Sequence, residues 1–190
     1  MAAMVIVGGG QAAGQNVASL RQAGYEGEIV LIGDESHPPY QRPPLSKQYL
    51  SGEHGVERVH LRPLTFYEDK NIDLKLGVTV TDIDTQSHHV KCSSGEDFEY
   101  EKLLIATGSR PRILNAPGSD LPGIFYLRTI DDVDRIREAM AAARSVCIVG
   151  GGYIGLEVAS VAITSGLNVT VLEMEDRILQ RVTTPDMSNF

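Results

Sequence analysis

The chain has 190 residues, with 17 Lys and Arg against 25 Asp and Glu, a formal charge of −8 with His neutral. Apolar residues make up 42%, enough for a packed core and too many for a disordered chain. The acidic balance argues against nucleic acid, which selects basic patches.

Two cysteines, Cys92 and Cys147, cannot build a multi-bridge framework, and they form no C-x-x-C pair. No stretch reaches the roughly 18 apolar residues that a membrane helix needs. The start, MAAMVIVGGG, has neither a basic lead nor a cleavage pattern. The expectation is a soluble, cytoplasmic protein with no membrane and no nucleic-acid partner. The positions of the 19 glycines carry the rest.

Residues 4–7 are an unbroken apolar run, predicted as a strand buried on both faces. It leads into Gly8, Gly9, Gly10, Gln11, Ala12, Ala13 and Gly14. A helix follows, with Ala13, Val17 and Leu20 on one face and Gly24 as terminator. Residues 28–32 are a second strand, ending at Gly33-Asp34-Glu35. The proline-rich residues 37–47, HPPYQRPPLSK, predict a loop that enters a helix near Leu45.

Residues 72–82 read as one strand, and residues 90–100 as a hairpin turning at Ser94-Gly95. Residues 103–106 read as a buried strand stopping at Thr107-Gly108. Residues 111–122, rich in Pro, Gly and Asn, are the candidate linker. A helix is predicted over residues 130–143, with Ile130, Val133, Ile136 and Met140 on one face. Residues 146–149 are then a strand and Gly150-Gly151-Gly152-Tyr153-Ile154-Gly155 a turn. Ile154, Val158 and Val161 keep helical spacing up to Gly166, and the strand over residues 169–172 ends at Glu173.

The strand–turn–helix–strand unit therefore occurs twice, offset by 142 residues at both the opening (150 − 8) and the closing (166 − 24) glycines. This reads as an internal duplication of a βαβ half-unit. Gly150, Gly152 and Gly155 match G-x-G-x-x-G after a strand and before a helix. The three glycines allow the tight turn, the approach of a pyrophosphate and close helix–strand packing. Glu173 can accept from an adenosine ribose and would repel a 2′-phosphate, which favours NADH over NADPH. Gly8, Gly10 and Ala13 are the G-x-G-x-x-A form, with Asp34 or Glu35 as the ribose acid. Two dinucleotide sites on one chain point to hydride transfer between a nicotinamide and a flavin.

The segments VIVGGGQAAG, GDESHPPYQRPPLSK, LLIATGSRPR, LRT and IVGGGYIGLE span nearly the whole chain. In that order they resemble FAD-containing, NADH-dependent ferredoxin reductases of the putidaredoxin-reductase and biphenyl-dioxygenase-reductase type. Apoptosis-inducing factor and rubredoxin reductases are related.

The resemblance implies an α/β fold of two Rossmann-like FAD/NAD(P)-binding modules, the second incomplete, over residues 1–112 and 113–190. It implies FAD on the first module and NADH on the second. Electrons would pass singly to a [2Fe-2S] ferredoxin serving a cytochrome P450 or ring-hydroxylating dioxygenase. By position, the Gly8–Ala13 turn (Gly8, Gly9, Gly10, Gln11, Ala12, Ala13) would hold the FAD pyrophosphate and Asp34 its ribose. Arg42, Lys47, Val80, Ala106, Thr107, Gly108 and Arg128 would also meet FAD. Gly151, Gly152, Tyr153, Ile154 and Glu173 would bind NADH, with Arg181 contributing.

Glu157 would reach toward Lys47, where a lysine near the flavin stabilises developing negative charge and a carboxylate orients the lysine. Without the resemblance, both would read as solvated helix residues. Family members are longer, which implies that this chain is an N-terminal part, either a fragment of the enzyme or the product of a truncated reading frame, and that 190 residues alone bind FAD poorly and do not sustain turnover. The alternatives are a related NADH oxidase, a rubredoxin or quinone reductase, or a nucleotide-binding module without redox turnover.

The stretch where disulfide reductases of this type carry a redox cysteine pair is occupied by PPYQRPPLSK, so a thiol relay is excluded and both cysteines read as small buried residues. His37, His54, His60, His88 and His89 show no metal spacing, and His88 and His89 would point to opposite faces of a strand. No metal is expected. The glycosylation pattern at Asn168 falls in a predicted buried strand and is discounted. Arg58, Arg62 and Lys70 are read as ordinary solvated charge, although an acidic ferredoxin would want a basic patch.

Overall fold

A computed structural model describes residues 3–190; Met1 and Ala2, the first residues of the stretch read above for a leader, lie outside the described residues. The strands are β1 (Ala3–Val7), β2 (Ile29–Gly33), β3 (Ile72–Leu76), β4 (Val80–Asp84), β5 (His89–Cys92), β6 (Asp97–Ile105), β7 (Ser145–Val149) and β8 (Asn168–Leu172). The α-helices are α1 (Gln11–Gln22), α2 (Gln48–Ser51), α3 (Leu64–Asp69), α4 (Ile130–Ala142), α5 (Tyr153–Thr164) and α6 (Pro185–Asn189). Short 3-10 turns cover Pro43–Ser46 and Val56–Arg58. Among the described residues, no helix is long and apolar enough to cross a membrane.

The chain forms two compact units. One comprises the described residues up to Arg42 with Glu57–Arg110, the other Pro43–Val56 with Pro111–Phe190.

The first unit is a six-stranded sheet in the order β3-β2-β1-β6-β5-β4. β3, β2, β1 and the second half of β6 run parallel, whereas β4, β5 and the start of β6 are antiparallel. Alternate residues of β1 and β2 feed two cores, as the period of two dictates. Val5, Val7, Val30 and Ile32 pack with Val90, Cys92 and Tyr100 on one face. Ile6, Ile29 and Leu31 pack with Ala13 and Val17 of α1 and Tyr67 of α3 on the other.

The predicted strand over residues 72–82 is two strands. Gly77 takes φ +68, and the chain turns away from β2 into the hairpin sheet. Residues 103–106 belong to the single long β6, and Ile105 is 60% exposed, so the expectation of burial fails there. His88 is not in a strand. It sits at φ +58 before β5, stacked on Tyr100 with ring centroids 5.2 Å apart.

The second unit contains the parallel pair β7–β8, with Ser145 opposite Asn168 and Val149 opposite Leu172. Helix α5 packs on this pair, and the Pro43–Ser46 turn, α2 and α4 lie against each other in the same unit. Only one face of the pair is covered. Val146, Ile148, Val169 and Val171 are half-buried, whereas Cys147, Asn168 and Thr170 are exposed. This corrects the expectation of a buried strand at Asn168 and of a buried Cys147; Cys92 is buried. Of the residues expected on the packed face of α5, Val158 and Val161 are half-buried, as is Gly155, and Ile154 is exposed. Ala159 and Ala162 are buried while Ile154 is exposed, because small residues let the helix approach the strands.

The predicted helix near Leu45 is a 3-10 turn followed by the one-turn α2. Pro44 disfavours the α conformation at Pro43, so the α-helix starts only beyond the proline pair.

Candidate functional site

The two glycine turns are the same object built twice. β1 and β7 start 142 residues apart (145 − 3), as do α1 and α5 (153 − 11). Gly8 and Gly150 take φ +116 and +112, conformations open to glycine but strained for other residues. Gly10 and Gly152 cap the helices in nearly identical extended backbone conformations, φ −85 and −82.

Neither helix carries a side-chain cap or an acid in its first turn. Helix α4 differs. Thr129 accepts from the Asp132 backbone N–H while Asp132 accepts from that of Thr129, and Asp131 adds a second acid. The capping box closes the N-terminus of α4, whereas α1 and α5, like the shorter α2, α3 and α6, have no side-chain cap; what sets α1 and α5 apart is the glycine turn that opens each of them. Their free N–H groups and the positive end of the helix dipole form an anion site. A Cβ added at Gly10 or Gly152 would meet nothing within 4 Å, so the mouth of each turn is open. These observations fit the two pyrophosphates of FAD and NADH.

Around the first turn, Gly8 N–H donates to Ile32 O at 2.7 Å, and Ala106 N–H to Val7 O at 2.7 Å. A Cβ on Gly8 would lie 2.3 Å from Ala106 O, so β6 closes onto the turn. Gly9 lies against Gly33, while Gln11 and Ala12 are exposed and Ala13 is buried. Ala106 is half-buried, Thr107 and Gly108 are exposed, and Gly108 takes φ +70. Val80 is half-buried at the start of β4, opposite Cys92.

The two candidate ribose acids differ in their surroundings. Glu35 accepts from Tyr40 Oη and, at 2.6 Å, from Arg42 Nη2. Arg42 also donates to Tyr40 Oη at 2.9 Å and stacks over the Tyr40 ring. Glu35 is thus part of a loop network that ties the proline-rich segment to the end of β2. Asp34 accepts from Arg110 Nη2 at 3.0 Å, and that side chain is 86% exposed. Tyr40 and Arg110 are the hydrogen-bond partners of the two candidate acids that the residue spacing did not reveal.

In the second unit, Glu173 at the end of β8 accepts three backbone N–H groups: Gly151 at 2.7 Å, Met174 at 2.7 Å and Glu175 at 3.0 Å. Hydrogen bonds from Glu175 and Gly151 hold its carboxyl below the usual range. Gly151 is buried against Ile178 and Glu173. Tyr153 and Ile154 are exposed at the helix start. Gly155 packs on Gly150, whose carbonyl oxygen would sit 2.0 Å from an added Cβ. Arg181 pairs with Glu175 at 2.7 Å. The Arg128 backbone N–H donates to Asp132 at 3.1 Å.

The same unit brings Lys47 and Glu157 together, 110 residues apart in sequence (157 − 47), with Lys47 Nζ 2.8 Å from Glu157 Oε2. Ser46 Oγ donates to the same carboxylate oxygen. Burial pushes the Glu157 carboxyl up, but the hydrogen bonds from Lys47 and Ser46 and the lysine charge outweigh it and leave it below the ordinary value. Sequence reasoning flagged the lysine and the acid and missed Ser46. The signal was its place between a fixed Pro-Pro turn and a singled-out lysine.

The family model described as pyridine nucleotide-disulphide oxidoreductase matches residues 2–190. Rhodocoxin reductase of Rhodococcus erythropolis is 43% identical over 187 residues, 98% of this chain and 44% of that protein. Putidaredoxin reductase of Pseudomonas putida is 41% identical over 190 residues, 98% of this chain and 45% of that protein. Among solved structures, the ferredoxin reductase for the CYP199A2 system of Rhodopseudomonas palustris superposes with a TM-score of 0.94 at 41% identity, covering all of this chain and 46% of that one. The covalent putidaredoxin reductase–putidaredoxin complex gives 0.90 at 42% identity, covering 99% and 46%. The chain spans about half the length of the relatives it matches. With the match running over both glycine turns, the chain belongs to the pyridine nucleotide-disulphide oxidoreductase family.

Proposed function

We propose that this chain carries the dinucleotide-binding units of an NADH-dependent FAD flavoprotein reductase. Its acceptor is a small redox protein, a [2Fe-2S] ferredoxin serving a cytochrome P450 or ring-hydroxylating dioxygenase. The observation that carries this reading is the pair of matched glycine turns, each opening a helix left without a side-chain cap. FAD supplies the chemistry when bound, taking electrons in pairs from NADH and releasing them singly to the acceptor.

The chain's own residues bind and orient. The Gly8–Ala13 turn and Ala106, Thr107 and Gly108 would hold FAD, and Asp34, at the end of β2, its ribose. Arg42, Val80 and Arg128 add contacts to FAD. The Gly150–Gly155 turn and Glu173 hold NADH, with Arg181 near the ribose acid; a carboxylate there repels the 2′-phosphate of NADPH. The Lys47 ammonium, paired with Glu157, would supply positive charge to stabilise negative charge on a reduced cofactor. A cytoplasmic location belongs to the same reading.

Similarity to rubredoxin reductase of Pseudomonas putida, 44% identical over 188 residues, supports rubredoxin as the second candidate acceptor. Because the 190 residues alone are expected to bind FAD poorly, the primary test is an anaerobic NADH titration of the flavin-loaded protein extended to the length of its relatives, followed in the flavin absorbance band. Bleaching at about one NADH per flavin is expected. A flavin that NADH leaves oxidised would refute the reading, and relative rates with ferredoxin, rubredoxin and dioxygen decide the acceptor.

A further inference from the structure

Ser46 is the one fully buried polar side chain among the described core residues, at 4% exposure. It closes the 3-10 turn Pro43–Ser46, in which two prolines lock φ and leave little backbone freedom. Its hydroxyl donates to Glu157 Oε2, the oxygen that also receives Lys47 Nζ at 2.8 Å.

The two donors differ in kind. The Lys47 side chain is 42% exposed and reaches Glu157 through a flexible four-carbon stem. It also donates to the Pro43 carbonyl, at 3.2 Å. Ser46 has a single side-chain rotor and sits in packed surroundings. A flexible, solvent-facing lysine cannot by itself choose the rotamer of a carboxylate. A rigid buried hydroxyl can.

We propose that Ser46 is a positioning residue for the Lys47–Glu157 pair: its buried hydroxyl fixes the Glu157 carboxylate so that Oε2 faces the lysine ammonium. The role of that pair in redox chemistry rests on the proposed function; the positioning itself does not. The charged group facing Glu157 is Lys47. The elements packed on α5 are the Pro43–Ser46 turn, α2, β7 and β8. Their sequences, PPLS, QYLS, SVCIV and NVTVL, bring no ionisable group besides the Tyr49 phenol and the Cys147 thiol.

The test is a carboxyl-carbon NMR titration of Glu157 in the cofactor-free chain, with amide spectra to show that each variant folds. Ser46→Ala is expected to raise the Glu157 pKa by about one pH unit, a tenfold change in its protonation constant. Ser46→Cys, close in size but a weak donor, keeps the packing and is expected to move the pKa the same way. Ser46→Thr retains a hydroxyl and is expected to return it toward wild type.

A cycle with Lys47→Met separates positioning from simple hydrogen bonding. Lys47→Met raises the Glu157 pKa, and in the Ser46→Ala background that rise is expected to fall to about half or less. The proposal is overturned if Ser46→Ala and Ser46→Cys both leave Glu157 within about 0.3 units of wild type. It is equally overturned if the Lys47→Met shift is undiminished without the hydroxyl. Since no flavin or NADH is present, failure here is distinct from failure of the NADH titration above.

Discussion

The duplication supplies a matched pair of substitutions, Gly8→Ala and Gly150→Ala. Both glycines sit at the same step after a strand, with φ +116 and +112, so the backbone strain imposed on alanine is the same, about 1–3 kcal/mol. Their surroundings differ. A Cβ on Gly8 would lie 2.3 Å from the Ala106 carbonyl oxygen, 2.6 Å from its carbon and 2.9 Å from Thr107 N, whereas nothing lies within 4 Å of one on Gly150. The obstacle at Gly8 is backbone and cannot swing aside. β6 must shift against β1, where Ala106 N–H bonds Val7 O at 2.7 Å, adding about 1–3 kcal/mol.

Gly8→Ala is therefore expected to destabilise the first unit by about 2–6 kcal/mol, and Gly150→Ala the second by about 1–3 kcal/mol. Native-state amide exchange read at β1 and β7, combined with urea titration, reports each unit separately. Equal losses, or a larger loss at Gly150, would refute the claim that the contact with β6 sets the demand for glycine at position 8.

Further predictions concern the second unit and the ion pair. Gly155→Ala places a Cβ 2.0 Å from Gly150 O and is expected to cost about 1–3 kcal/mol or more in urea unfolding, while Ala13→Gly, the reciprocal change, costs about 1 kcal/mol. Thr129→Ala removes the capping box of α4 and is expected to lower stability by about 1 kcal/mol; unchanged amide protection in α4 would count against it.

Burial raises the Asp132 carboxyl, but hydrogen bonds from Thr129, Arg135 and Arg128 hold it below its ordinary 3.8. A depressed folded value means stability that is fully present above pH 3.8 and lost as pH falls through the folded value. Asp132→Asn should flatten the acid limb of the urea midpoint measured between neutral pH and about pH 3; an unaltered limb would contradict it. Lys47→Met in the flavin-loaded protein extended to the length of its relatives should slow NADH-driven flavin bleaching by about 100-fold or more. A rate within about threefold of wild type would remove the lysine from the chemistry.

Much of this molecule is legible locally. A glycine turn between an apolar run and a helical repeat involves neighbours only a few residues apart, and φ above zero at Gly8, Gly24, Gly150 and Gly166 follows from that short-range geometry. So do the strands β1, β2, β7 and β8, the ends of α1, α4 and α5, and the turn at Gly95. Pairing and burial are not local. The split at Gly77 depends on β4 joining β5 instead of β2. The exposure of Cys147 and Ile105 depends on which faces have a layer over them. The full burial of Ala159 and Ala162 and the exposure of Ile154 on α5 depend on how close the helix sits to its strands.

The site divides in the same way. Its phosphate-binding turns lie within single stretches of chain, so residue types and spacing were enough to find them. Lys47, Ser46 and Glu157 meet across 110 residues, and the engagement of Glu35 by Tyr40 and Arg42 depends on how a proline-rich loop folds back. The sequence alone therefore determined where the dinucleotide turns lie and which residue types they need. Only the tertiary structure decided which acid is occupied, which face is covered and which hydroxyl holds the Glu157 carboxylate. Those outcomes rest on contacts between segments that no short-range pattern encodes.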